Sequence, residues 1–524
     1  SQNTKSDYST HGKTDSGRVH LYAKTYDAVQ MKKAAGYEPE ALPPYNTESY
    51  ALITENDFRK VSDEPLSTFS IDVDNASYSN TRRFIMEERF PPKDAVRIEE
   101  LINYFEYDYE KPSGKHPFSV HMEVSDCPWN SENRLVHIGL KGKEIPKDEV
   151  PPSNIVFLLD VSGSMDMPNK LPLLKSAFRM LVRELTEKDR VAIVVYAGAS
   201  GQVLPATPGN EKRNIIAALD KLEAGGSTAG AAGIELAYKV AAENFIKEGN
   251  NRVIIATDGD FNVGVSSDAE LVRLIEEKRD KGIFLSVLGF GTGNYKDSKM
   301  EQLADKGNGN YAYIDNIQEA RKVLVTEMLS TLYAIAKDVK LQVEFNPAQV
   351  SAYRLIGYEN RMLHNEDFDD DKKDAGEMGI GHTVTALYEI VPAVEGKDTN
   401  TATRKLKYQE QNIKASAFHD PDILTLKLRY KLPEESKSIL FEKTVSDGGL
   451  RLNNSSDNFR FAAAVAGWGM LLRDSKYKGD NNYAAVLRLA KTALGEDKNG
   501  YRKEFVKMVE LCEAISDEGI SAEK

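Results

Sequence analysis

The chain has 524 residues, of which 41% are hydrophobic, and its formal net charge at pH 7 is −13. This negative balance argues against non-specific binding to nucleic acid, which needs a basic surface, and against adhesion to an anionic membrane. The length suggests about three to four domains. Because no run of 18 or more apolar residues occurs, the sequence predicts no transmembrane helix.

The chain contains two cysteines, Cys127 and Cys512. Two thiols exclude a disulfide framework. They leave two alternatives open, namely one bridge between them or two separate buried thiols. The redox compartment therefore does not follow from the cysteine usage.

The N-terminal part divides into two regions of different character. Residues 1–63 are polar and weakly periodic, so we expect a flexible tether, with a short helix near residues 50–61. Residues 64–148 are expected to form an α+β region. Its predicted elements are a strand at Phe69–Val73, helices at Tyr78–Glu88 and Arg97–Phe105, and strands at Phe118–Val124 and Arg134–Leu140.

Residues 149–336 alternate apolar runs with amphipathic segments, a pattern that predicts a doubly wound, mainly parallel sheet with helices on both faces. The predicted strands are Ile155–Leu159, Val191–Tyr196, Val253–Thr257, Ile283–Leu288 and Tyr311–Ile314, with an antiparallel edge strand at Gln202–Leu204. The predicted helices are Leu171–Leu185, Asn214–Leu222, Gly230–Phe245, Ala269–Asp280 and Gln318–Ile335.

The remaining chain changes pattern twice. Residues 337–452 show strand patterns with period two, and residues 453–524 show three helical patterns. The strands before and after the α/β unit are each too few to close a sandwich alone. We therefore predict that residues 64–148 and 337–452 pack together as one discontinuous β-rich domain, into which the α/β unit is inserted.

An Asp-x-Ser-x-Ser motif, made by Asp160, Ser162 and Ser164, follows the apolar run Ile155–Leu159 directly. In an open parallel sheet, ligands bind beyond the carboxyl ends of the strands. Oxygen-only side chains suit a hard divalent cation such as Mg²⁺ better than zinc or copper. The alternative interpretation is that both serines only cap the following helix.

Two neighbouring loops supply further oxygen ligands at the same sheet edge. Thr228 lies in a glycine-rich loop before a helix, and Asp258 directly follows the strand Val253–Thr257. Asp260 and Ser227 are candidates for groups that support the ligands without touching the ion, although Asp260 is equally well explained as a plain loop residue. The sequence thus predicts a metal site formed by Asp160, Ser162, Ser164, Thr228 and Asp258.

These five residues resemble the complete metal-ion-dependent adhesion site of a von Willebrand factor type A domain. In that family the serines and the threonine or second aspartate coordinate the ion directly or through water, and one position stays open for an acidic side chain of the partner. The resemblance implies Mg²⁺, with Mn²⁺ or Ca²⁺ as alternatives. It also implies a protein ligand that supplies an Asp or Glu carboxylate.

The flanking sequence is similar to a bacterial subfamily of von Willebrand type A lipoproteins found in Gram-negative envelopes. This similarity begins near residue 48 and covers nearly all of the rest of the chain. It implies a location in the periplasm or at the outer membrane, with a lipid-carrying cysteine upstream of Ser1. The segments that carry it are Pro65–Asp74, Arg97–Phe105, Gly225–Tyr238, Ala256–Gly264, Leu355–Arg361 and Gly381–Glu389.

The function expected from these observations is non-enzymatic, metal-dependent adhesion or scaffolding. One alternative is a metal-dependent hydrolase, for which Asp260 is the only evident general base in these loops. The other is a purely structural envelope module. Asp72 and Asp74 also end a strand, where a local turn explains them better than a second metal site does.

Overall fold

The computed structural model describes residues 48–226, 230–259, 268–293, 296–373, 375–394 and 413–522. Most of the expected N-terminal tether, residues 1–47, lies outside the described residues. Within the described ranges the chain forms two five-stranded sheets and one six-stranded sheet, with helices packed against them. None of the described helices combines the length and the apolar character needed to cross a bilayer.

The N-terminal region contributes strands and helices to the packed structure from residue 48 onward. Residues 50–58 form no regular secondary structure where a short helix was expected, and Asn56 Nδ2 donates to the carbonyls of Leu355 and Gly357 at 3.3 and 2.9 Å. The expected tether therefore does not reach residue 63, because long-range partners fix this segment. The elements are β1 (Arg59–Lys60), β2 (Leu66–Ser70), α1 (Ala76–Met86), α2 (Ile98–Asn103), β3 (Phe118–Asp126) and β4 (Arg134–Gly142).

The α/β unit follows with alternating strands and helices. Its strands are β5 (Ser153–Asp160), β6 (Arg190–Tyr196), β7 (Ser200–Pro208), β8 (Asn250–Thr257), β9 (Ile283–Phe290) and β10 (Tyr311–Ile314). Its first helices are α3 (Leu171–Glu184), α4 (Lys212–Asp220), α5 (Gly230–Glu243), α6 (Asp268–Asp280) and α7 (Asp297–Lys306). The strand order is β10-β9-β8-β5-β6-β7, parallel except for β7. Apolar cores cover both faces, which confirms the predicted doubly wound sheet.

The end of the α/β unit differs from the single helix expected over Gln318–Ile335. The chain forms α8 (Ile317–Arg321), a π-helical turn at Lys322–Thr326, and α9 (Met328–Leu332). At the break, the Lys322 side chain is 1% exposed, pairs with Glu327 and lies 4.2 Å from the ring centroid of Tyr104. The irregular turn therefore coincides with a buried ion pair.

The β-rich region completes two sheets that the N-terminal strands share. It adds β11 (Ala334–Phe345), β12 (Val350–Ile356), β13 (Gly376–Gly379), β14 (Thr383–Pro392), β15 (Asp422–Lys431) and β16 (Ile439–Ser446). One sheet has the order β1-β12-β14-β4-β3, and the other has the order β13-β11-β15-β16 with β2 paired to β11. A common apolar core joins them. Strands from before and after the α/β unit therefore share both sheets, so that unit lies between two parts of one β-rich region.

The C-terminal region forms α10 (Asp457–Arg473), α11 (Tyr483–Lys491) and α12 (Tyr501–Ala522). Helix α10 is buried on nearly all sides, and its start is capped by Ser456 Oγ, which accepts the Phe459 N–H at 3.1 Å. Of the two cysteine alternatives, the structure has separate buried thiols at Cys127 and Cys512.

Candidate metal centre

Asp160 ends β5 at the carboxyl edge of the sheet and is fully buried. One carboxylate oxygen accepts the backbone N–H of Ser162 at 2.9 Å. The other oxygen accepts the hydroxyls of Tyr196 and Thr257, each at 3.2 Å. Because Tyr196 and Thr257 end the neighbouring strands β6 and β8, three strand ends fix the carboxylate in place.

The surroundings of the Asp160 carboxyl disfavour its ionised form. Burial raises its pKa, the hydrogen bonds from Ser162 partly offset that increase, and the charge of Asp258 adds to it. A bound cation would reverse the effect of burial, because it favours the charged carboxylate. The environment of Asp160 therefore suits a carboxylate that shares a cation.

The two serines of the motif face each other across a tight turn. Ser162 is buried, Ser164 is exposed, and their hydroxyl oxygens are 3.0 Å apart. Two ligands at right angles in an octahedral Mg²⁺ shell, each about 2.1 Å from the ion, are separated by about 3.0 Å. In the structure this separation is a hydrogen bond between the two hydroxyls, and it is also compatible with adjacent positions in such a shell. The oxygen donors fit an Mg²⁺-type ion, which would act there as a Lewis acid.

Asp258 lies immediately beyond the end of β8, on the same edge, and is 1% exposed. Its carboxylate is paired with Lys170 Nζ at 2.8 Å, and both side chains are buried. Lys170 directly precedes α3 and belongs to the loop that follows the Asp-x-Ser-x-Ser motif. The structure thus brings an ammonium group into contact with one of the two predicted carboxylate ligands.

Gly291 makes room for Lys170. Its φ is +74°, and a Cβ added there would lie 2.2 Å from Lys170 Cε. A side chain at this position would push the lysine away from Asp258. The glycine after β9 is therefore part of the geometry that holds the ion pair.

The loop expected to carry Thr228 is tied to the motif by its backbone. Gly225 N–H donates to the Val161 carbonyl at 2.8 Å, and Gly163 N–H donates to the Gly226 carbonyl at 3.1 Å. The chain therefore approaches the motif directly before the expected ligand. The predicted residues Thr228, Ser227 and Asp260 lie outside the described residues.

The sequence did not predict three residues of this centre, namely Lys170, Tyr196 and Thr257. Tyr196 and Thr257 look like ordinary strand-end residues. Lys170 carries a signal that could have been used: it stands at the N-cap of α3, where the helix dipole disfavours a cation unless an anion is nearby.

Asp72 and Asp74 contact an arginine. Arg361 lies 3.0 Å from the Asp72 carboxylate and 3.3 Å from that of Asp74, which also accepts the Tyr311 N–H at 2.8 Å. Asp74 approaches two buried acids, Glu100 and Glu301, closely enough to share an ion. Arginines bind these acids as well, so they form part of a buried ionic network between the α/β unit and its flanks.

Comparison with known proteins assigns the chain to a family. Residues 154–325 match the von Willebrand factor type A domain, residues 44–137 match a von Willebrand factor model, and residues 330–515 match the C-terminal model of the uncharacterized protein YfbK. The uncharacterized protein YfbK of Escherichia coli (strain K12) is 41% identical over 509 residues, which cover 96% of this chain and 87% of that protein. The chain belongs to the YfbK family of von Willebrand factor type A proteins.

Other proteins match this chain at lower identity. Human inter-alpha-trypsin inhibitor heavy chain H3 is 28% identical over 176 residues, which cover 32% of this chain and 20% of that protein. A solved von Willebrand factor type A structure from Catenulispora acidiphila is 16% identical, with a TM-score of 0.39, and covers 76% of this chain and 92% of its own. The type A domain implies a protein-binding or adhesion-type role for the chain.

Proposed function

We propose that this chain is a non-enzymatic binding protein of the bacterial cell envelope that engages a protein partner through a bound Mg²⁺-type ion. The ion would be held by Asp160, Ser162, Ser164, Thr228 and Asp258, and an Asp or Glu carboxylate of the partner would complete its shell. Mn²⁺ and Ca²⁺ are the alternative ions.

The observation that carries this proposal is the convergence of four oxygen-bearing side chains at one sheet edge. Asp160 is already hydrogen-bonded to its surroundings, the serine hydroxyls of the motif are 3.0 Å apart, and Asp258 stands on the adjacent strand end. Two carboxylates, one lysine ammonium and a divalent ion leave one net positive charge. A partner carboxylate would neutralise that charge, which favours an acidic ligand.

The hydrogen-bond and ion-pair partners of the acids at this edge favour a binding function over hydrolysis. Among the described acids at this edge, Asp160 accepts three hydrogen bonds and Asp258 is paired with Lys170, so neither is placed as a general base. Asp260, the candidate base from the sequence, lies outside the described residues. The proposed location, the periplasm or the outer membrane of a Gram-negative bacterium with a lipid anchor, rests on the similarity of the flanking segments to envelope lipoproteins.

Titration calorimetry with Mn²⁺ tests the ion site. Asp160→Asn should lower the Mn²⁺ affinity by more than about 100-fold, since even residues that only support a metal ligand contribute 10- to 100-fold. The amide keeps an acceptor for the Ser162 N–H, so the fold should survive. Asp220→Asn is the control, because Asp220 is a half-exposed acid paired with Arg179 on the surface. Equal affinities in the wild type and Asp160→Asn would contradict the site.

Affinity capture from an envelope extract tests the partner. The immobilised chain should retain the same protein in Mg²⁺ and lose it in EDTA, and Asp160→Asn should not retain it at all. Asp220→Asn should behave like the wild type. Retention that is identical in Mg²⁺ and in EDTA would refute metal-dependent binding.

A further inference from the structure

A cavity of about 290 Å³ lies where the amino-terminal edge of the α/β sheet meets the β-rich domain. Its walls include Arg252 near the start of β8, Thr331 in α9 and Glu377 in β13. Six residues of extended strand, roughly 20 Å, separate Arg252 from Asp258. The cavity is therefore distinct from the candidate metal centre.

Arg252 is the unusual group in this cavity. It is 2% exposed, and its Nη1 donates to Ser286 Oγ at 2.7 Å. Within the described part of the chain, its Nε has no hydrogen-bond partner. Burial lowers the pKa of Arg252 to about 10, and the charges of Glu377 and Tyr333 offset only part of this effect.

In two other buried arginines of the chain, the positive charge is compensated by carboxylates. Arg97 contacts Asp297 at 2.7 Å, and Arg361 contacts Asp72 and Asp305 at 3.0 Å each. A buried cation without a close anion is unfavourable, so proteins usually pair it or use it to bind one. Among the described residues, no carboxylate lies within ion-pair distance of Arg252, which lines a cavity, whereas Arg97 and Arg361 contact carboxylates directly.

The size and chemistry of the space define what would fit. A guanidinium offers five N–H donors in a planar fork that matches carboxylate and phosphate oxygens. A water molecule occupies about 30 Å³, so the cavity holds far more than one water. Of the three acids in its wall, Asp72 and Asp305 are bound by Arg361, which reduces their repulsion of an incoming anion. The third, Glu377, acts on Arg252 and offsets part of its positive charge.

We propose that Arg252 anchors a binding site for a small oxyanion, carrying a phosphate or a carboxylate group, at the junction of the α/β unit and the β-rich domain. The ligand would contact β8 and α9 from the α/β unit and β13 from the β-rich domain. Its binding would stabilise this junction, because a ligand that binds only the folded state raises its stability.

Thermal unfolding of the full chain tests the proposal, with inorganic phosphate and succinate as separate probes against sodium chloride at matched ionic strength. At least one probe should raise the Tm of the wild type in a saturable manner. A response to phosphate alone indicates a phosphate-bearing ligand, and a response to succinate alone indicates a carboxylate. Arg252→Met should abolish the response. Arg273→Met, an exposed arginine on α6, should retain it.

Arg252→Lys is the second variant, in case Arg252→Met does not fold. It keeps the positive charge but loses the planar fork, so the probe concentration at half-maximal response should rise about tenfold. The absence of any shift in the wild type with both probes would overturn the proposal and leave a cavity hydrated by water. An equal shift in the wild type and in Arg252→Met, or an equal half-maximal probe concentration in the wild type and in Arg252→Lys, would also overturn it, since the anion would then bind elsewhere.

Discussion

Lys170 places an ammonium group against Asp258, one of the two carboxylates expected to hold the ion. An ion that binds there must share Asp258 with the lysine. The lysine should therefore weaken metal affinity while keeping the bound ion more attractive to an incoming carboxylate. Lys170 would therefore lower the affinity for the metal and raise the affinity of the bound metal for the partner carboxylate.

Replacing Lys170 by Met should increase the affinity for Mn²⁺ by about tenfold or more, because the variant removes a repulsive charge and leaves a buried carboxylate that the ion can neutralise. Titration calorimetry gives the affinity directly. Lys239→Met, at a surface lysine that is 71% exposed on α5, is the control and should bind Mn²⁺ as the wild type does. Unchanged or weaker binding by Lys170→Met would refute this role.

At the residue scale, the sequence identified the acids and serines that the structure brings to one sheet edge. Asp160 and Asp258 could be placed because each directly follows an apolar strand. Lys170 could not, because its contact with Asp258 spans 88 residues and depends on the space that Gly291 leaves. The contribution of Thr228 stays a prediction.

At the element scale, the strands of the α/β unit were predictable because their apolar runs are continuous. Helix α7 was not, because Asp297 and Glu301 are buried against Arg97 and give the helix a polar contact face. Strand β13 could not be predicted either, because its four residues begin and end with glycine and show no alternating apolar pattern. Its Gly379 packs against the backbone of Ser330, where an added Cβ would lie 1.7 Å from the carbonyl oxygen.

Gly291→Ala tests how the loop after β9 supports the metal centre. A positive φ alone disfavours alanine by about 1 kcal/mol, and the clash with Lys170 adds to this loss of unfolding free energy. The Tm should therefore fall by about 1–3 °C in a chain of this size. Gly201→Ala on β7 is the control, because an added Cβ meets no atom within 4 Å there. Equal Tm values for both variants would contradict the tight contact.

At the scale of the whole molecule, the α/β unit is joined to its flanks by buried ion pairs as well as by the chain itself. Arg97 from α2 contacts Asp297 of α7, and Arg82 from α1 contacts Glu319 of α8 at 2.7 Å. The sequence predicted the insertion from the number of strands on each side. It could not predict this network, because isolated arginines and acids give no sign of their partners.

Arg97→Met should lower the free energy of unfolding by about 3–5 kcal/mol, since it leaves Asp297 and Glu100 buried without their cation. Urea unfolding followed by circular dichroism measures the change. Arg179→Met is the control, because its pair with Asp220 is exposed and such pairs contribute at most about 1 kcal/mol. Similar midpoints for both variants would show that the buried network does not hold the molecule together.

Anomalous diffraction from crystals soaked in Mn²⁺ shows whether the carboxyl edge of the α/β sheet binds a divalent ion. We expect an anomalous peak within bonding distance of the Ser162 and Ser164 hydroxyls and adjacent to Asp160 and Asp258. A map with no peak at this edge, or with its only peaks elsewhere, would contradict it.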